Sequence, residues 1–82
     1  MTNVVLADEF WRDVEPGTEA LVDRWLATEG QHVAAGEVIA NVVLVKTTLD
    51  VIAPANGILE RVLVPAEQTF SRGKPLAVVR ND

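Results

Sequence analysis

The chain repeats itself, and that limits its fold more than any other feature. Ala20–Val43 and Gly57–Arg80 align at an offset of 37 residues, pairing Arg24 with Arg61, Leu26 with Leu63, Gln31 with Gln68, Gly36 with Gly73, Ala40 with Ala77 and Val42 with Val79. Val22 and Leu59, Asp23 and Glu60, Val33 and Phe70, and Ile39 and Leu76 are conservative pairs in the same register. Each half opens with a strand of alternating character, seen at Leu21–Leu26, where period two separates two faces. A polar turn follows (Thr28-Glu29-Gly30-Gln31), then a second turn bearing Gly36 or Gly73, then a closing strand at Val38–Leu44 or Pro75–Arg80. A short opening strand at Val4–Leu6 and one turn at Glu9–Arg12 complete the reading, and no window carries helical periodicity over a useful length. Neither half can bury a face alone, but two halves packed face to face can. The expectation is an all-β fold with residues 1–82 as one domain: a flattened, pseudo-twofold sandwich of two small antiparallel sheets.

A chain of 82 residues buries about 60% of the surface its unfolded form exposes, which leaves little volume for an enclosed active site. The net charge of −5 argues against nucleic acid, which is held through Lys and Arg on phosphates, and against an anionic membrane surface. No apolar run approaches the roughly 20 residues of a membrane span, and the N-terminus lacks a basic region of the secretory kind. There is no cysteine, so disulfides, thiolate catalysis and cysteine metal sites are excluded. A cytoplasmic, monomeric protein is expected.

The distinctive residues lie between the repeats, in VVLVKTTLDVIAPANG (Val42–Gly57). Two strand-like stretches, Val38–Leu44 and Thr48–Ala53, flank Val45-Lys46-Thr47, which places Lys46 at a hairpin turn. Pro54 removes a ladder donor and ends the second strand, and Asn56-Gly57 favours a tight turn into Ile58. Val45 and Thr47 are β-branched, where a generic hairpin would place Asn, Asp or Gly. A lysine held up by stiff neighbours suits recognition by a modifying enzyme. On composition alone, a solvated surface charge is the more ordinary reading. His32 and Ser71, each the only residue of its type, occupy turn positions with no triad or metal motif around them. Asp50 belongs on the solvent face of its strand, with recognition by a modifying enzyme or partner as the alternative. Trp25 belongs to sheet packing, Phe10 and Trp11 to packing or a partner patch, and Lys74 to a plain turn. The twelve acidic residues read as scattered.

These residues resemble the biotinyl/lipoyl carrier family, whose modified lysine is followed by proline eight and glycine eleven positions on, as Lys46 is followed by Pro54 and Gly57. Ala53-Pro54-Ala55-Asn56-Gly57 resembles the family's A-P-x-x-G, and Glu29-Gly30-Gln31-His32-Val33 followed by Gly36 resembles its upstream E-G-D-x-V…G unit. The likeness spans about residues 17–80. It implies a flattened barrel of two four-stranded sheets (a barrel-sandwich hybrid) and a non-catalytic carrier. On that carrier Lys46, flanked by Val45 and Thr47, takes covalent lipoate as a swinging arm. The implied partners are a lipoate ligase or lipoyl transferase and components of a 2-oxoacid dehydrogenase-like complex. The flanks depart from the family's patterns. Lipoyl domains show D-K-A with a glutamate three before the lysine, where this chain has Val45-Lys46-Thr47 and Val43. Biotin domains show M-K-M. Val45, Lys46 and Asp50 partly match the V-K-A…D of the glycine-cleavage H protein. A biotin carrier and an unmodified interaction domain stay open beside the lipoyl reading. Carrying Lys46 through the 37-residue offset lands on Glu9 and predicts the hairpin and the termini at opposite ends.

Overall fold

The computed structural model describes residues 1–81 and contains eight strands and one 3₁₀ turn. The strands are β1 (Thr2–Val4), β2 (Ala20–Trp25), β3 (His32–Val33), β4 (Val38–Leu44), β5 (Thr47–Ile52), β6 (Gly57–Val62), β7 (Thr69–Phe70) and β8 (Ala77–Asn81), and the 3₁₀ turn is Asp8–Trp11. They form two four-stranded antiparallel sheets, in the orders β1-β8-β6-β3 and β5-β4-β2-β7. The sheets face each other as a sandwich and do not close into a barrel.

The repeat is real in three dimensions: β2, β3 and β4 are the mates of β6, β7 and β8, and the two sheet orders interchange under that exchange. The halves are interlocked, however, and are not one sheet each. The two-residue strand of each half, absent from the sequence expectation, crosses to the other sheet: β3 pairs with β6, and β7 with β2. Backbone bonds repeat with the strands, so that Gly30 N–H donates to Leu59 O as Glu67 N–H donates to Val22 O. Gly30 (φ 91°) and Glu67 (φ 70°) share the left-handed conformation those bonds require. The register also corrects one expectation. Thr2 pairs with Val79 and Leu49 with Val42, so Thr2 is the mate of Leu49. The mate of Lys46 is therefore the gap between Asn81 and Met1, where Thr2 Oγ1 donates to Asn81 Oδ1 at 3.0 Å, and not Glu9.

The core is a single layer of aliphatic side chains between the sheets, with Ile39, Leu59 and Leu76 the largest fully buried. They are the inward set of the alternation read from sequence. At one end Trp11 closes the layer edge-on against Phe70, with ring centroids 6.0 Å apart and planes at 78°. Trp25 is half-buried against the core and donates its indole N–H to Val64 O at 2.9 Å.

Gly57 is required for a reason other than the turn expected there. It is the first residue of β6, and a Cβ on it would lie 2.1 Å from Arg80 O. The glycine permits a close approach of two backbones. Its neighbour Asn56 accepts from Ala35 N–H at 2.8 Å, tying the segment after β5 to the Gly36 turn. Ala53 completes that junction, donating its N–H to Glu37 O and accepting from Gly36 N–H.

Candidate functional site: the Val45-Lys46 hairpin

Strands β4 and β5 pair through six registered positions, ending at Leu44 opposite Thr47. Val45 and Lys46 alone make the connection, as the shortest common hairpin allows. Val45 has φ 61° and Lys46 does not share the positive value, the pattern of a type II′ turn, whose first central position favours glycine. A β-branched residue there is strained, by about 1–3 kcal/mol. The hairpin tolerates it because its base is fixed: Leu44 is buried, and β4 is hydrogen-bonded on both sides, to β5 and to β2.

Lys46 is exposed at this apex, with Val45 (68% exposed) and Thr47 exposed on either side. Among the described residues the Lys46 ammonium has no ion-pair or hydrogen-bond partner. An exposed primary amine on a rigid two-residue turn can be acylated by an activated carboxylic acid, and no neighbouring side chain competes for it. Lys74, the other lysine, sits in the turn before β8, away from any hairpin apex.

The structure brings two further features to the hairpin. On the outer face of its sheet, Asp50 Oδ1 accepts from Asn41 Nδ2 at 2.9 Å, and Asn41 Oδ1 accepts from Arg24 Nε at 3.4 Å. This row crosses β5, β4 and β2. The row fits the solvent-face reading of Asp50, and its partner Asn41 carries no signal in the sequence pattern. The second feature is the Asp8–Val14 segment. Phe10 and Val14 line a hollow of about 210 Å³ together with Leu44, Val45, Thr47 and Leu49. Packing and exposure thus divide the aromatic pair, since Trp11 is 2% exposed and Phe10 40%.

That segment is anchored by Asp8, which receives two hydrogen bonds of 2.6 Å from the Arg72 guanidinium. Those bonds hold the Asp8 carboxyl below its ordinary value of 3.8 and push Arg72 further up. His32 lies exposed in β3 and Ser71 in the turn after β7, on different elements, and no group of three His, Asp or Glu residues that could hold a metal ion occurs among the described residues.

Known proteins share this sequence pattern and fold. The model of the biotin/lipoyl attachment family, described as "Biotin-requiring enzyme", matches residues 14–79. The succinyltransferase component of the mouse mitochondrial 2-oxoglutarate dehydrogenase complex is 40% identical over 57 residues, 70% of this chain and 13% of that protein. The acetyltransferase component of the acetoin cleaving system of Pseudomonas putida is 37% identical over 62 residues, 76% of this chain and 17% of that protein. The chain thus spans less than a fifth of the length of these relatives. The solved lipoyl domain of the Azotobacter vinelandii 2-oxoglutarate dehydrogenase complex superposes with a TM-score of 0.70 at 22% identity, covering 82% of this chain and 85% of that one, which shows the fold. A multi-domain long-chain acyl-CoA carboxylase superposes with a TM-score of 0.71 at 26% identity, covering 85% of this chain and 8% of that one. The chain belongs to the biotin/lipoyl attachment family, whose members are carrier domains of multi-enzyme systems and not themselves catalysts.

Proposed function

We propose that this chain is a lipoyl carrier, with lipoate joined to Lys46 through an amide at Nζ. The observation that carries the reading is the two-residue turn between Leu44 and Thr47, which presents an unpaired primary amine at the apex of a hairpin fixed on both sides of β4. Bound lipoate supplies a dithiolane able to take an acyl group and two electrons, chemistry that a cysteine-free chain lacks.

The residues of the chain present this arm and do not react. Leu44 anchors the base of the hairpin, the left-handed Val45 turns the chain, and Thr47 resumes the ladder, so the Lys46 stem leaves the body at a fixed point. The amide removes the ammonium charge and leaves a long flexible tether. Tethering raises the local concentration of the carried group at each partner, and that is the carrier's contribution to rate. The arm would shuttle acyl or related groups between the components of a 2-oxoacid dehydrogenase-like complex, the setting of the mouse succinyltransferase component to which the chain is similar.

Biotin on the same lysine is the second reading, favoured by the likeness to the acyl-CoA carboxylase. Incubating the apo protein with lipoate or biotin and the corresponding ligase, then measuring intact mass, separates the two. A single lipoyl addition, absent in Lys46→Arg, is expected. A biotin addition instead supports the second reading. Unchanged mass with both ligases leaves an unmodified interaction domain.

A further inference from the structure

The hollow beside the hairpin has no occupant from this chain, and its position decides what reaches it. Leu44, Val45, Thr47 and Leu49 supply one wall from the hairpin, and Phe10 and Val14 supply the other. Val45 and Thr47 are the immediate neighbours of Lys46, so a protein that closes around the Lys46 amine also covers this hollow. Phe10 is 40% exposed and Val45 68%, so both walls present apolar surface to a partner.

The charge around the hollow is not scattered, as the sequence suggested. Asp8, Glu9, Asp13, Glu15 and Glu19 against Arg12 place four of the chain's net five negative charges on residues 8–19, the segment carrying Phe10 and Val14. All five carboxylates are exposed, and among them only Asp8 is neutralised locally, by Arg72. The segment opposite the hairpin thus carries both the apolar wall of the hollow and exposed carboxylates, Glu9 beside Phe10 and Glu15 beside Val14.

Resting on the carrier reading, we infer that the enzyme modifying Lys46 seats an apolar side chain in this hollow and lays basic groups over the acidic wall of residues 8–19. The apolar contact holds the complex, and the carboxylates speed encounter, since charge complementarity acts mainly on association. Both elements are needed to bring the amine into a partner's active site in one orientation.

The test uses the apo protein as substrate for a bacterial lipoate ligase, with lipoate and ATP, following modification by intact mass. Phe10→Ser should raise the KM for the carrier about fivefold at low and high salt alike, with kcat unchanged. The triple variant Glu9→Gln, Asp13→Asn, Glu15→Gln should raise KM about tenfold at low salt, with the difference vanishing as salt screens the charges. Glu60→Gln, on the other sheet, should match the wild type. The triple variant removes only exposed charges and so tests the surface even if Phe10→Ser disturbs packing. Wild-type KM in both variants at low salt, or an effect confined to kcat, overturns the inference and leaves the carrier reading standing. Failure of the wild-type protein to accept lipoate overturns the lipoyl reading and this inference together.

Discussion

The two halves of the sandwich share a backbone and differ in what they do with it. Gly30 to Leu59 and Glu67 to Val22 are the same hydrogen bond made twice, and β4 with β5 is paired as β8 is with β1. At one twofold-related position the chain is continuous and forms the Val45-Lys46 turn. At the other, β8 and β1 pair without a turn between them, and Thr2 Oγ1 donates to Asn81 Oδ1 near the related position. The outer faces diverge in the same direction. Arg24, Asn41 and Asp50 form a hydrogen-bonded row under the hairpin, whereas their mates Arg61, Val78 and Asn3 lie in register and make no such row. The two ends of a symmetric scaffold thus differ in that one has its strands joined by a two-residue turn and braced by a polar row.

The comparison yields substitutions that affect one half and spare the other. The largest effect is expected at Gly57, whose mate is Ala20. Gly57→Ala places a Cβ against Arg80 O and should cost about 3 kcal/mol in denaturant unfolding, whereas Ala20→Gly should cost about 1 kcal/mol. Equal losses would mean that the two positions are not distinguished by backbone approach. Next is the strained turn. Val45→Gly should raise stability by about 1 kcal/mol, more than Glu67→Gly does, because a β-branched residue suffers more at positive φ than glutamate. A destabilised Val45→Gly protein would show that the valine contributes packing that outweighs its strain.

Of similar or smaller size is Asn41→Ala, which removes both bonds of the row and should cost about 1 kcal/mol, against almost nothing for Val78→Thr at the mate. The smallest effect belongs to Asp8→Asn. The Asp8 carboxyl is held below 3.8 by Arg72, so its stabilisation is present above that pH and is lost as pH falls through the depressed value. The melting temperatures of wild type and Asp8→Asn should differ slightly at neutral pH and converge in strong acid. The pair lies at the surface, where solvent screens it and keeps the difference small.

Much of this was legible because a β-sheet records its faces in the chain with period two. Val38–Leu44 could be bounded to the residue, and Thr48–Ala53 to within one. The strand-like stretches on either side of Val45-Lys46-Thr47 located the hairpin, and the resemblance around Lys46, Pro54 and Gly57 singled out its lysine. What escaped depended on pairings between distant segments. Strands β3 and β7 are two residues long, too short for a pattern, and exist only because another strand lies beside them. Gly57 looked like a turn residue, since sequence cannot show that Arg80 O passes so close. The mate of Lys46 lies away from Glu9 because the repeat changes register between β1 and β2, where the 3₁₀ turn and the acidic segment are inserted. That insertion brings Phe10 and Val14 to the hairpin, where they line the hollow beside Val45 and Thr47.

The most direct test of the carrier role is peptide mapping of the protein purified from its own cells, since the chain contains only two lysines. The peptide spanning Lys46 should carry one lipoyl group and the peptide spanning Lys74 none. An unmodified Lys46, or a modification found only on Lys74, would contradict the account.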